Sequence, residues 1–266
     1  MPENAHSPGA AERAARLLLE ARERRKALAD FPESCRPRTI EDGYAVQAAL
    51  ERLDGRPVAG WKIGATSERI QKELGLDRPF PGRVFAPSVL KSPARISRGD
   101  FLQVALEVEF AFRLARELPP RRQAYSRAEV EAAVLSLHPA CELVDARTSL
   151  GFKLPAPYVL ADNGCNAALV EGAAVPDWRR FDLARQRVTL TLNGKKAAEG
   201  TGADALGHPL AALTWLANEL SRRDLGIKAG QIVTTGTCCG FHPLKAGDEA
   251  VADYGALGKV EVTVGE

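Results

Sequence analysis

The first fifty or so residues carry leucine and alanine at helical spacing. The stretch "AAERAARLLLEARERRKALAD", residues 10–30, places apolar residues on one helical face, and Pro8 stands where such a helix would begin. A second helix is predicted after Thr39, because "TIED" matches a capping box and apolar residues follow it at helical spacing. The pattern therefore predicts two helices before the chain changes character near Pro57.

Beyond Pro57, short apolar runs alternate with glycine and proline. "PVAGWKIGA" predicts a strand, and "TSERIQKELG" predicts a short helix that a serine or threonine caps and Gly75 ends. "RPFPGRVFAPSVL", residues 78–90, has the composition of a turn-rich loop. Seven more strands are predicted, in "FLQVALEVEFAFRLA", "PACELVDA", "NAALVEG", "RVTLTLN", "QIVTTGT", "DEAVADY" and "KVEVTV".

Two helices, near residues 126–137 and 208–222, interrupt these strands, and Asn193-Gly194 predicts the tip of a hairpin. The alternation favours an α+β fold with a mixed, mostly antiparallel sheet and the N-terminal helices packed outside. We expect residues 1–56 to form a helical segment packed on the core. Residues 57–266 then form the mixed-sheet domain that carries the chemistry.

Composition narrows the class of protein. The chain has 266 residues, of which 45% are hydrophobic, and this supports a substantial core. Its net charge of +2 comes from mixed signs spread along the sequence, so we expect no nucleic-acid partner. No segment has the pattern of a secretory signal or the length of a membrane span, and we expect no membrane partner. Five cysteines without a paired pattern suggest a reducing compartment, and the cytoplasm is the expected location.

Two glutamates interrupt an apolar run. Glu107 and Glu109 stand in "QVALEVEFAFRL", and in a strand they would share one face. Three arrangements would explain why two like charges stand side by side. The face of the strand is solvated, or basic side chains lie opposite, or a divalent cation such as Mg²⁺ or Mn²⁺ binds the two carboxylates. Glu142, in the apolar run of "HPACELVDAR", adds a third acid and favours the cation, although pairing with Arg147 or another base is an alternative.

Three other positions combine polar side chains with glycine. Lys62 in "GWKIGATS" either reaches the surface or is buried near an anion. Asp162 and Asn163 precede a glycine, a combination typical of turns. Thr237 closes the strand in "VTTGTCCG", where small residues either present backbone amides to a carboxylate or form a tight bend.

Taken in order, these motifs resemble the 2-keto-4-pentenoate hydratase family, within the fumarylacetoacetate hydrolase superfamily. The set is "GWKIGATS", "ELGLD", "LEVEFAF", "PACELVDAR", "ADNG", "LGHPLAALTWLA" and "VTTGT", followed by the C-terminal "AGDEAVADYGALGKVEV". The resemblance covers about residue 40 to the end of the chain. Each fragment is short, but the ordered set is specific.

The resemblance implies a metal-dependent enzyme. Glu107, Glu109 and Glu142 match the family's ligands for Mg²⁺ or Mn²⁺, and Lys62 matches a lysine that takes part in proton transfer beside the substrate. We expect Lys62, Asp162 and Thr237 to contact a small 2-oxo or 2-hydroxy-dienoic acid. The implied fold is a compact mixed-sheet roll or barrel with outer helices, assembled as a homo-oligomer.

One departure bears on the reaction. Family hydratases carry an acidic residue where this chain has Phe80, in "DRPFPGRV", and that acid is assigned to catalysis. Asp77 lies three residues earlier but matches a different family position. Hydration of a 2-hydroxy-2,4-dienoate to a 4-hydroxy-2-oxo acid is the leading hypothesis.

Three other functions stay open at the sequence level. Phe80 suits decarboxylation of a 2-oxo-enedioate, which needs no activated water, and keto–enol tautomerisation needs still less. Carbon–carbon hydrolysis is disfavoured, because His6, His138, His208 and His242 match no His-Glu motif, and His208 and His242 are expected to be structural. A catalytically silent binding protein is the remaining alternative.

Overall fold

The computed structural model describes residues 8–266. The α-helices in this range are α1 Pro8–Glu23, α2 Ile40–Asp54, α3 Glu68–Leu74, α4 Arg127–Ala133, α5 Ala156–Ala161 and α6 Pro209–Ser221. The strands in this range are β1 Val58–Gly64, β2 Phe80–Phe85, β3 Val89–Lys91, β4 Ala94–Ser97, β5 Val104–Leu114, β6 Val134–Asp145, β7 Asn166–Glu171, β8 Arg187–Leu192, β9 Lys195–Thr201, β10 Ile232–Pro243, β11 Glu249–Asp253 and β12 Lys259–Gly265.

These strands form two mixed sheets. A seven-stranded sheet has the order β2-β1-β10-β5-β6-β7-β3, and a five-stranded sheet has the order β4-β12-β11-β8-β9. Three pairs are parallel, namely β1 with β10, β3 with β7 and β4 with β12. The predicted α+β class with mostly antiparallel strands is confirmed. Of the roll or barrel that the resemblance implied, a closed barrel is absent, because within residues 8–266 neither sheet pairs its two edge strands.

The N-terminal helices cover one side of the larger sheet. The Thr39 side chain accepts the backbone N–H of Asp42, and Asp42 bonds back to Thr39, so the predicted capping box starts α2. The predicted first helix begins at Pro8 but ends at Glu23, seven residues earlier than its apolar pattern suggested. Buried residues of α1 and α2 share a hydrophobic cluster with Phe85 and Val144 of the sheet. This contact places the helices behind the strands that carry the site.

One local prediction was wrong, and another was correct only in its first part. Residues 78–90 contain strand β2, which is buried along its length and pairs antiparallel with β1. An edge strand tolerates Pro81, because it needs no ladder hydrogen bond on its outer side. The helix predicted over 126–137 ends at Ala133, and β6 follows at once with Val134. Burial in the centre of the sheet outweighs the helical preference of those residues.

Other local predictions were confirmed. The Ser67 side chain caps α3 and Gly75 ends it in a left-handed conformation. Asn193 and Gly194 have positive φ angles of 51° and 75° and join β8 to β9 as a hairpin. No helix within the described residues is long and apolar enough to cross a membrane.

Candidate active site

Three carboxylates meet at the centre of the larger sheet. Glu107 and Glu109 lie two residues apart on β5, so both point to the same face. Glu142 stands directly opposite Glu107 on the neighbouring strand β6. One oxygen from each of the three carboxylates lies within 4.8 Å of the other two. The strand register thus gathers the three acids that the sequence singled out.

The arrangement leaves one oxygen free on each of the two deepest acids. The Oε2 atom of Glu109 accepts the Gly236 backbone N–H at 2.7 Å, and the Oε1 atom of Glu142 accepts the Asn166 side-chain N–H at 2.9 Å. Glu109 Oε1 and Glu142 Oε2 are buried and have no hydrogen-bond partner. Buried, unpartnered carboxylate oxygens that converge are suitable ligands for a hard cation. The residues present therefore fit a divalent metal ion.

Lys62 lies beside this cluster. It is 3% exposed, so the interpretation as a surface lysine was wrong. Its Nζ atom is 3.2 Å from Glu142 Oε1 and donates a hydrogen bond to the Gly164 carbonyl oxygen at 3.2 Å. Of the bases proposed as partners of Glu142, Arg147 is not the one, because it pairs with Asp162, and Glu142 pairs with another base, Lys62.

Burial and mutual repulsion shift the pKa values of these groups. Burial raises the pKa of Glu107 to about 7, against the opposing charge of Lys62. Burial, and then the neighbouring Glu142 and Glu107, raise the pKa of Glu109 well above its usual range. Burial alone would lower the pKa of Lys62, but the three carboxylates outweigh it and hold the pKa above its usual value. Lys62 therefore keeps its proton and acts as an ammonium donor when no metal ion is bound.

Phe80 forms part of the wall next to Lys62. The lysine Nζ lies 5.8 Å from the centroid of the Phe80 ring, within the range of a cation–π contact. The ring packs directly against Gly64 and Gly164, which have no side chains. A methyl group at either glycine would overlap it. The position where the resemblance implies an acid thus carries a tightly packed aromatic ring.

A left-handed turn supplies the carbonyl that holds Lys62. Asn163, Gly164 and Cys165 all have positive φ angles, of 54°, 63° and 59°. The Asn163 side chain exchanges hydrogen bonds with the backbone N–H and carbonyl of Arg83 on β2. This bracing explains why Asn163 adopts a conformation that L-residues rarely use. The sequence "ADNG" correctly predicted a turn, but not its contact with the lysine.

Asp162 lies behind that turn. It is fully buried, its carboxylate pairs with Arg147 and accepts the Arg147 backbone N–H at 2.9 Å, and it does not line the cavity. Arg147 also donates to the Asn166 carbonyl oxygen at 2.8 Å. Arg147 and Arg83 are both nearly fully buried, whereas Arg78 is exposed.

Thr237 lines the cavity and stands opposite Glu109 on β10. Its hydroxyl donates to the Gly240 carbonyl oxygen at 2.8 Å. The neighbouring Gly236 has a φ of 96°, and a methyl group there would overlap Thr66. That conformation turns the Gly236 N–H toward Glu109. Sequence reasoning offered backbone amides in this segment only as an alternative to a tight bend, and the structure contains both.

Two supporting residues were missed from the sequence. Asn166 begins β7 and bonds Glu142. The Tyr254 hydroxyl, from the end of β11, lies 2.7 Å from the carbonyl oxygen of Glu109 and 2.8 Å from that of Ala140. It therefore ties the smaller sheet to the backbone that carries the carboxylates. Neither residue carries a recognisable signal, because both act through contacts distant in sequence.

A cavity of about 500 Å³ opens next to the carboxylates. Lys62, Glu107, Phe80 and Thr237 line its inner end, and apolar side chains from α3 and from the residues around α5 line much of the rest. No histidine within residues 8–266 lines this cavity. The His208 side chain caps α6 by accepting the Leu210 backbone N–H, as expected for a structural residue, and His6 lies outside the described residues.

Comparison with known proteins identifies relatives over nearly the whole chain. A family model described as fumarylacetoacetate (FAA) hydrolase C-terminal matches residues 66–265. A 2-keto-4-pentenoate hydratase of Burkholderia vietnamiensis is 31% identical over 94% of this chain and 95% of its own length. A 2-oxo-hept-4-ene-1,7-dioate hydratase of Escherichia coli is 32% identical over 87% of each chain.

A solved structure of 4-oxalocrotonate decarboxylase from Pseudomonas putida G7, complexed with magnesium and adipate, has a TM-score of 0.88. It is 25% identical and covers 97% of this chain and 98% of its own. Hydratases are therefore among the proteins that this chain resembles in sequence, and a decarboxylase is among those that it resembles in fold.

Proposed function

Because the chain belongs to the fumarylacetoacetate hydrolase family, and within it to the 2-keto-4-pentenoate hydratase group, we propose that it is a hydro-lyase acting on a 2-hydroxy-2,4-dienoate. The dienol ketonises, and water adds across the remaining double bond to give a 4-hydroxy-2-oxo acid. The observation that carries the proposal is the similarity to 2-keto-4-pentenoate hydratases over nearly the whole chain, and the cluster of three carboxylates and one buried lysine provides the site that such a reaction needs.

We assign the metal site to Glu107, Glu109 and Glu142, with Mg²⁺ or Mn²⁺ as the ion. When bound, the ion supplies electrostatic stabilisation for the negative charge that develops on the C2 oxygen of the substrate. The two unpartnered oxygens, Glu109 Oε1 and Glu142 Oε2, are the first candidates for ligand atoms. Magnesium in the related decarboxylase supports a divalent ion here.

Lys62 is assigned to proton transfer. Its ammonium is fixed by Glu142 and by the Gly164 carbonyl, and it lines the cavity from the inner end. From there Nζ donates a hydrogen bond to a substrate oxygen and gives or takes the proton that moves during ketonisation. Asp162 acts through Arg147 and Asn166 rather than by touching the substrate, so we now propose it as a positioning residue. Thr237 keeps its proposed role at the substrate, because it lines the cavity.

A second candidate is decarboxylation of a 2-oxo-enedioate. Phe80 favours it, because hydration needs a group that activates water and the ring offers none. The same inner end of the cavity serves both reactions up to the proton transfer. The decarboxylase of Pseudomonas putida G7 has the same overall fold, so the fold does not distinguish the two.

Product analysis by NMR distinguishes these reactions. The Mg²⁺-supplemented protein is given 2-hydroxypenta-2,4-dienoate or 2-oxo-hex-3-enedioate, and wild type is compared with Glu107→Gln. Glu131→Gln is the matched control, because it alters another Glu-x-Glu pair, one that lies on the partly exposed helix α4. We expect 4-hydroxy-2-oxopentanoate from wild type and from the control, and none from Glu107→Gln.

Carbon dioxide release without water addition would replace hydration by decarboxylation, and proton exchange alone would indicate a tautomerase. Tight metal binding without any turnover would support a catalytically silent binding protein. We further propose a cytoplasmic homo-oligomer, and the five free cysteines agree with a reducing compartment.

A further inference from the structure

We propose that this site accepts 2-oxo and 2-hydroxy-dienoic monoacids with an apolar alkyl or aryl tail, and discriminates against dioates that carry a second carboxylate at the far end. The inference rests on the proposed function, which places the carboxylate and C2 oxygen of the substrate beside Glu107 and Lys62. The remaining walls of the cavity then surround the tail of the substrate.

The cavity is large for a five-carbon acid. Its volume of about 500 Å³ lies within the range of roughly 300–1,000 Å³ typical of sites for much larger ligands. A substrate that placed only its carboxylate and C2 oxygen at the carboxylate cluster would leave most of this space unfilled. A longer tail would fill it and remove apolar surface from water.

The walls beyond the inner end are mostly apolar. Helix α3 contributes Ile70 and Leu74, and the segment before and within α5 contributes Leu154 and Val159. The Phe152 and Phe241 rings pack edge to face, with centroids 4.5 Å apart. Phe241 stands directly opposite Glu107 on the neighbouring strand, so this aromatic pair begins beside the carboxylate cluster. A tail leaving the head of the substrate thus meets aromatic and aliphatic surface at once.

The cavity offers no spare positive charge for a second carboxylate. Among the described residues, the cationic side chains that line it are Lys62 and Arg69. Lys62 already faces three carboxylates. Arg69 is 72% exposed and pairs with Glu73 at 2.6 Å. Glu73 and Asp204 also line the cavity, so the distal carboxylate of a dioate would meet like charges and would have to be desolvated without a partner.

Binding of saturated 2-oxo acids to the Mg²⁺-loaded protein tests this without requiring turnover. Calorimetry measures the affinities of two pairs of acids. The first pair is 2-oxopentanoate and 2-oxoheptanoate, and the second is 2-oxoadipate and 6-methyl-2-oxoheptanoate, which has an uncharged group of similar shape in place of the distal carboxylate. We expect affinity to rise about fourfold for each buried methylene. The dioate should bind at least about tenfold more weakly than its analogue, in line with the penalty for an unpartnered buried charge.

Phe152→Ala removes one wall, and we expect the ratio of long-tail to short-tail affinity to fall several-fold. Leu150→Ala is the matched control, because Leu150 lies in the same loop, is 46% exposed and does not line the cavity. It should leave the ratio unchanged. Affinity that does not depend on tail length would overturn the proposal. Tighter binding of the dioate would also overturn it, and loss of that binding in Arg69→Met would identify Arg69 as the carboxylate partner.

Turnover of the matching dienoates separates this inference from the proposed function. A tail preference in binding together with hydration of the tailed dienoates upholds both. The same preference in binding with no hydration product refutes the hydratase assignment and leaves the tail preference standing.

Discussion

At the scale of single residues, one ammonium group faces three carboxylates. Lys62 is held by Glu142 and by a backbone carbonyl, and the Phe80 ring closes the space beside it. These contacts keep Nζ in one place while burial excludes competing water. A lysine so constrained can orient and protonate a substrate, whereas a flexible surface lysine could not.

Lys62→Met should abolish turnover while keeping the metal site. We expect kcat to fall by about 10²–10⁴, the range for loss of an acid–base group. Mg²⁺ affinity should stay the same or increase, because the substitution removes a positive charge beside the carboxylates. Dienol consumption measured by absorbance and Mg²⁺ titration by calorimetry test the two parts. Loss of metal binding in the variant would assign Lys62 a structural role instead.

Gly236 is the second residue whose replacement is informative. Gly236→Ala forces a methyl group into Thr66 at a positive φ and displaces the N–H that bonds Glu109, so Mg²⁺ affinity should fall. Gly247→Ala is the control, because Gly247 has a φ of 87° and open space around it. Both variants should lose stability in urea unfolding, with an unfolding free energy lower by about 1 kcal/mol or more. Only Gly236→Ala should weaken Mg²⁺ binding. Equal Mg²⁺ affinities of the two variants would contradict a role for the Gly236–Glu109 hydrogen bond in the metal site.

At the scale of elements, the turn between α5 and β7 links the buried ion pair to the site. Asp162 fixes Arg147, Arg147 bonds the Asn166 carbonyl, and the Asn166 side chain bonds Glu142. The same turn contributes the Gly164 carbonyl to Lys62. The turn therefore positions Lys62 and Glu142, although its own carboxylate, Asp162, does not line the cavity.

Asp162→Asn should destabilise the fold more than it affects substrate binding. It leaves the Arg147 guanidinium buried without a counter-charge, and breaking a buried pair lowers the unfolding free energy by about 3–5 kcal/mol. Asp177→Asn breaks the exposed pair with Arg180 and should have little effect. Urea unfolding and KM are measured for both. If the Asp162→Asn protein were stable and its KM greatly raised, Asp162 would be a substrate-binding residue rather than a positioning residue.

At the scale of the whole molecule, folding gathers three carboxylates against one lysine. The excess of negative charge is buried in the middle of the larger sheet, where solvent screens it poorly. Without a bound cation, repulsion among these carboxylates therefore lowers the stability of the folded chain. A divalent ion that binds the folded but not the unfolded chain relieves this repulsion and stabilises the protein.

Addition of Mg²⁺ should raise the melting temperature, and EDTA should reverse the effect. Glu109→Gln removes one buried charge, so the melting temperature without added metal should be higher than that of wild type, and the Mg²⁺ response smaller. Differential scanning calorimetry measures both values. Glu131→Gln, on α4, should behave as wild type. An equal Mg²⁺ response in wild type and Glu109→Gln would contradict the assigned ligand set.

A buried histidine adds a pH dependence to stability. Burial lowers the pKa of His138 by more than the Gly172 carbonyl and the nearby Glu171 raise it, so His138 stays neutral in the fold. The unfolded chain then binds the extra proton, and stability is lost as pH falls below the ordinary histidine pKa of about 6.5. His138→Gln should lose less stability than wild type between pH 7 and pH 5 in urea unfolding. His242→Gln, with a partly exposed side chain, is the control.

The sequence by itself determined the features that depend on near neighbours. The Thr39–Asp42 capping box, the Ser67 cap and the Asn193-Gly194 hairpin involve residues a few positions apart, so their geometry follows from local chemistry. The period of two in a strand likewise placed Glu107 and Glu109 on one face. The ordered motifs identified the family.

Only the tertiary structure decided which distant residues meet. Glu142 stands opposite Glu107 because of the β5–β6 register, and Lys62 reaches Glu142 only because β1 pairs with β10 beside β5. Residues 80–85 form a strand rather than a loop for the same reason, since pairing with β1 and burial outweigh the local turn signals of proline and glycine. Long-range pairing is set by the total burial of the sheet, which no short window of sequence contains. The apolar walls of the cavity come from three separate segments, so the proposal of an apolar substrate tail rests on the fold and not on any single stretch of sequence.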